Sequence, residues 1–154
     1  MPEALVRLHH ADPPLAAELA ALFMAARAEA MPWLPVCHGL EATTRFLADL
    51  VAQLTAWLAH DGTGRVAGFI LADDDWIHHL YVAPGRQGKG IGRRLLRQVL
   101  ADGRPRQLWC FADNLRARRF YEAAGFMLVE RTDGRHNEEG CPDVRYHYAG
   151  TRSA

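Results

Sequence analysis

Lysine is almost absent from this chain. Of the 18 lysine and arginine residues only Lys89 is a lysine, and 18 acidic residues bring the formal net charge to zero. Such a balance leaves no broad cationic footprint, so nucleic acid is not expected as a partner. Cysteine is scarce too. Cys37, Cys110 and Cys141 are odd in number and show no C-x-x-C spacing, which argues against a disulfide framework and for reduced thiols in a cytoplasm. Metal-ligand spacing is lacking, because His9-His10 and His78-His79 are adjacent pairs and not i, i+4 sets. No apolar run approaches the about 20 residues that cross a bilayer. The opening MPEALVRLHH lacks the build of a signal peptide. Repeats and low-complexity tracts are missing as well. The expectation is a cytoplasmic protein without membrane or metal, forming a single domain over residues 1–154. Hydrophobic residues, at 49%, are enough for one core.

What is present is a regular alternation of strand and helix signals. Ala4 to His9 reads as a strand. Asp12 caps an alanine-rich helix to about Ala30, with Pro13 and Pro14 tolerated in its first turn. Pro32 and Pro35 break the next segment into a loop, and Glu41 to about Val51 reads as a second helix. Leu54–His60 and Val66–Asp73 form a hairpin around Asp61-Gly62-Thr63-Gly64. Trp76–Val82 is a fourth strand, Gly90–Asp102 a third helix, and Gln107–Ala112 a fifth strand. Asn114–Ala124 is a fourth helix, ended by Gly125. Met127–Arg135 and Val144–Tyr148 close the chain as strands. The fold class is therefore α/β, a mixed sheet with helices on both faces.

The chemistry concentrates where the fourth strand meets the third helix. Strand, glycine-rich turn and helix N-terminus together make an anion site, because free N–H groups converge there and the helix dipole favours negative charge. Three glycine-loop patterns compete. A nucleotide P-loop fails, since Ile91 and Gly92 stand where Lys and Ser/Thr are required. A dinucleotide fingerprint through Gly88 and Gly90 meets Arg93 at its third glycine. The pattern Q/R-x-x-G-x-G/A is filled by Gln87, Gly90 and Gly92. With LWCFADNLRARRFYEAAGF following at Leu108–Phe126, the chain resembles the GNAT superfamily of N-acetyltransferases.

That resemblance implies a GNAT fold, a mostly antiparallel sheet of seven strands with four helices, and an acetyl-CoA-dependent N-acetyltransferase working in a ternary complex. It implies that Gln87, Gly88, Lys89, Gly90, Ile91, Gly92 and Arg93 bind the coenzyme pyrophosphate. It also implies that Leu80, Tyr81 and Val82 pair through their backbone with the pantetheine arm. Asn114, Ala117, Phe120 and Tyr121 complete that site, although Asn114 is also an N-cap and Phe120 also reads as core. The resemblance further implies that the tyrosine of F-Y-x-x-x-G-F, Tyr121, is the proton donor to the departing thiolate. The general base is left open. His78 holds the position where relatives carry glutamate; His79, on the other strand face, and a water chain are alternatives. Cys110, in mid-strand, reads as a buried apolar residue and not a nucleophile.

The resemblance also implies that two irregular segments border the acceptor. Met31–Glu41 carries Trp33, His38 and Glu41, and Asp133–Asp143 carries Glu138, Glu139 and Asp143. These loops are expected to meet beside the end of the fourth strand, where their acids would attract an ammonium group. The partner is then a small-molecule or peptide amine, with a homodimer in keeping with relatives. A GNAT fold that binds acyl-CoA without turnover, or a dinucleotide oxidoreductase, are the other functions open at this point.

Overall fold

The computed structural model describes residues 4–151. Its elements run β1 (Leu5–Leu8), α1 (Pro13–Ala30), α2 (Leu40–Gln53), β2 (Thr55–His60), β3 (Val66–Ala72), β4 (Ile77–Val82), α3 (Ile91–Leu100), β5 (Arg106–Phe111), α4 (Leu115–Ala123), β6 (Met127–Thr132) and β7 (Asp143–Tyr148). Among the described residues, seven mostly antiparallel strands and four helices match the expected count. No helix among the described residues is long and apolar enough to cross a membrane.

The sheet differs from the expectation in one respect that matters. It divides in two, with strand orders β1-β2-β3-β4 and β5-β7-β6. Among the described residues, the two sheets are bridged once, in parallel, from Trp76 just before β4 to Gln107 in β5, steadied by the Gln107 amide donating to the Asp75 carbonyl at 2.8 Å. Beyond that bridge the two strands part. The core follows the split. One cluster packs α1 and α2 on the first sheet through Leu19, Phe23, Leu47, Leu58 and Phe69. The other joins α3 and the second sheet through Ile70, Ile91, Leu95, Leu108 and Tyr146. The first sheet thus carries helices on both faces. All seven residues of β3 are buried in consequence.

Gly68, in β3, sets how closely α3 approaches. A Cβ there would lie 3.0 Å from the Tyr81 carbonyl oxygen and 3.1 Å from Cγ2 of Ile91. The missing side chain lets the start of α3 sit against β3 and β4. The sixth strand is also shorter than its pattern suggests, whereas the seventh begins one residue earlier, at Asp143. The strand expected over Met127–Arg135 ends at Thr132, because Gly134 takes φ +82 and its amide donates back to Oγ1 of Thr132 at 3.1 Å.

Candidate active site

The turn after β4 delivers its glycines to the mouth of a cavity of about 470 Å³. Gly90 caps α3 in the left-handed conformation, φ 82, with no side-chain cap bond to the helix N–H groups. A Cβ at Gly88 or Gly90 would meet nothing within 4 Å, so the space before the loop is open. Arg86, Arg93 and Arg116 line the same cavity with Gln87, Gly88, Gly90, Ile91 and Gly92. The Ile91 side chain points inward, 1% exposed, and fixes the helix from below. Lys89 is exposed on the loop.

From the other wall α4 supplies Asn114, Ala117, Phe120 and Tyr121. Asn114 is the N-cap of α4, its Oδ1 accepting from the Ala117 amide at 3.2 Å. The helix is latched behind by Tyr146, whose hydroxyl accepts from Arg118 Nε at 3.0 Å and donates to Glu122. Tyr121 lies edge-on to Phe120 and Phe126, with centroids 5.2 and 5.6 Å away. Burial first, then neighbouring Cys110 and Tyr81, push its phenol well above the ordinary 10. Burial likewise drives the Cys110 thiol up to about 12, which removes it as a nucleophile near neutral pH.

A second cavity, of about 640 Å³, lies between β4, β5 and the segment joining the last two strands. Trp109, Phe111, Glu130, Thr132 and Asp143 line it with His78, His79 and Glu139. Met31, Leu80, Tyr81, Asn114, Ala117 and Tyr121 line both cavities. The split between β4 and β5 is therefore the passage that joins them.

The two histidines differ. His78 is exposed and its Nε2 lies 2.8 Å from Oδ2 of Asp73, in the turn before β4. His79 stands among Phe23, Phe46 and Tyr81, with centroids 5.6, 5.7 and 6.1 Å away. Burial, reinforced by Arg27 and His78, lowers its pKa to about 4.

The two expected loops do meet. His38 Nε2 lies 2.5 Å from Oε1 of Glu138, and Trp33 stands edge-on to Phe111 at 6.2 Å. Glu41 does not join them. It pairs with Arg45 at 3.0 Å in the first turn of α2, 88% exposed. The Cys37 thiol and the Glu138 and Glu139 carboxylates have ligand atoms within 4.8 Å of one another, but the two carboxylates are already paired with His38 and Arg27. Desolvation and the two glutamates raise the Cys37 pKa above its ordinary 9.0.

Arg27 is the site residue that sequence reasoning missed. Its Nη2 donates to Glu139 Oε1 at 3.0 Å and its Nη1 to the Tyr81 hydroxyl at 3.3 Å. The guanidinium lies over Phe23 at 4.9 Å. A signal existed: Ala16, Leu19, Ala20 and Phe23 form the buried stripe of α1, and position 27 continues it with an arginine.

Comparison with known proteins identifies the family and the fold. A family model described as Acetyltransferase (GNAT) family matches residues 20–126. N-alpha-acetyltransferase 40 of Saccharomyces cerevisiae is 36% identical over 93 residues, covering 50% of this chain and 33% of that protein. The chain spans a third to a half of the length of the curated relatives it matches. In fold it is similar to apo YjaB of Escherichia coli, with TM-score 0.77 and 19% identity over 98% of this chain and 100% of that one. PH1933 of Pyrococcus horikoshii gives TM-score 0.78 and 22% identity over 97% and 99%.

Proposed function

This chain belongs to the acetyltransferase (GNAT) family, a family of acyltransferases, and on that premise we propose that it moves the acetyl group of acetyl-CoA to an amine by direct attack. The observation that carries the reading is the passage between β4 and β5. A donor held at the glycine loop and an acceptor beneath the two loops would meet there, beside Tyr121. Holding two reactants in contact supplies much of the rate without a covalent intermediate.

The first cavity suits the coenzyme chemically. Gln87, Gly88, Gly90, Gly92 and Arg93 would hold the pyrophosphate, with Lys89 adding charge from the loop. The backbone of Leu80, Tyr81 and Val82 faces the pantetheine arm, opposite Ala117 and Phe120. The Oδ1 of Asn114 is committed to its cap, so Nδ2 is the group that serves the arm. Acetyl-CoA brings a thioester whose carbonyl carbon accepts the amine.

The amine nitrogen bonds to that carbon, the C–S bond breaks, and the sulfur takes a proton. Tyr121, a phenol protonated at neutral pH, is the donor. His79, neutral but lowered to about 4, is too weak a base for an ammonium group. His78, backed by Asp73, is the better proton acceptor, directly or through water. Trp33, His38, Glu138 and Glu139 border the acceptor, whereas Glu41 is left to helix α2. Calorimetry with CoA, followed by free-thiol release across an amine panel, tests the reading. Micromolar CoA binding with amine-dependent thiol release supports it; binding without release against every amine would make the chain a CoA binder.

A further inference from the structure

A third cavity, of about 590 Å³, lies between α1, α2 and the segment joining them. Its walls are largely apolar, from Phe23, Met24, Leu34, Val36 and Phe46. Two of these face solvent, Val36 at 77% exposed and Phe46 at 46%, and apolar surface left open beside a site marks a contact surface. The cavity is continuous with the acceptor cavity, since Arg27, Met31, His79 and Glu139 line both.

The polar groups at the junction already satisfy one another. Arg27 pairs with Glu139 at 3.0 Å and His38 with Glu138 at 2.5 Å. His79 turns a ring edge to Phe23 and Phe46, and its lowered pKa, about 4, keeps it uncharged near neutrality. A polar or charged ligand tail would find few unpaired groups there and would lose its hydration. An apolar tail would lose nothing and remove more apolar surface from water.

We infer that this third cavity is an acceptor subsite for an apolar substituent, so that the amine accepted carries an aliphatic or aryl group. The inference rests on the acetyl-transfer reading above and narrows its substrate class. The nitrogen would point into the passage between β4 and β5, and the tail would run back past His79 between α1 and α2.

The test is a series of primary amines: ethylamine, butylamine, hexylamine and phenethylamine against ethanolamine and 1,4-diaminobutane. Each is measured on the CoA-saturated chain, both by thiol release and by calorimetric binding. The expected gain is about fourfold in kcat/KM or in affinity per added methylene, from about 0.8 kcal/mol per buried CH₂. Ethanolamine and the diamine should fall with or below ethylamine. A28F, on the α1 wall of this cavity, should flatten the series, with CoA affinity as the check that it is folded. A flat series in the unsubstituted chain, preference for the diamine, or an undiminished gradient in A28F would each overturn the inference. These outcomes are separable from failure of the acetyl-transfer reading, which shows as absent CoA binding and no thiol release with any amine.

Discussion

Arg86 reaches back from the glycine loop to Asp61, Nη2 to Oδ2 at 2.5 Å, and so ties the loop to the β2–β3 turn. The other oxygen of Asp61 accepts from the Thr63 amide, the Thr63 hydroxyl and the Arg65 amide at 2.7, 2.6 and 3.2 Å. Both ends of this tether are thus fixed before any ligand arrives. Asp61→Asn should weaken CoA binding by roughly two- to tenfold, the scale of one hydrogen bond, with the fold retained. The bonds from Thr63 foremost, then Arg65 and Arg86, hold the carboxyl at about 2 instead of 3.8. The tether is therefore intact above the ordinary value and fails only as the pH falls through about 2. Calorimetry at neutral pH giving equal affinities for both proteins would refute the tether.

Gly90 has φ 82 and faces open space. Gly90→Asp puts both a side chain and a negative charge where the dipole of α3 favours an anion. CoA affinity should be lost, with the far-UV circular dichroism spectrum unchanged. Unaltered affinity in a folded variant would remove the loop from the binding site.

Tyr121→Phe keeps the ring that packs on Phe120 and Phe126 and deletes only the hydroxyl. Turnover should drop by about 10²–10⁴, the usual contribution of a general acid, with the loss in kcat and not in coenzyme affinity. A wild-type kcat would return Tyr121 to a packing role.

His79 links stability to pH. The unfolded chain takes up a proton as the pH falls below the ordinary 6.5, whereas the folded chain, with His79 at about 4, does not. Stability should therefore decline on acidification between those two values and change no further on this account below them. His79→Phe preserves the ring contacts and removes the titration. Urea midpoints at pH 7 and pH 4.5 should move less in the variant than in the unsubstituted protein; equal movement would show that His79 carries none of it.

The parts of the site that local backbone chemistry dictates were legible in the sequence. The left-handed turn at Gly90 admits little but glycine, and Asn114 announces the start of α4 by capping it. The proline-broken and acid-bearing loops could be expected to meet because few other segments were long enough to close that side. What local pattern does not carry was not legible. The parting of β4 from β5 depends on how two sheets pack, and each strand alone reads as an ordinary one. Arg27 hides in an alanine-rich helix because its partners, Tyr81 and Glu139, lie far away in the chain. Glu41 misled for the opposite reason: an acid in a helix's first turn is sufficiently explained by the helix dipole.

The parting of the sheet also bears on the order of events. The glycine-loop cavity and the acceptor cavity have largely separate linings and join beside Tyr121. On the proposed reading each substrate has its own doorway, and neither must wait for the other to enter or leave. Initial-rate plots should then give intersecting lines, with spent coenzyme and acetylated amine departing in either sequence.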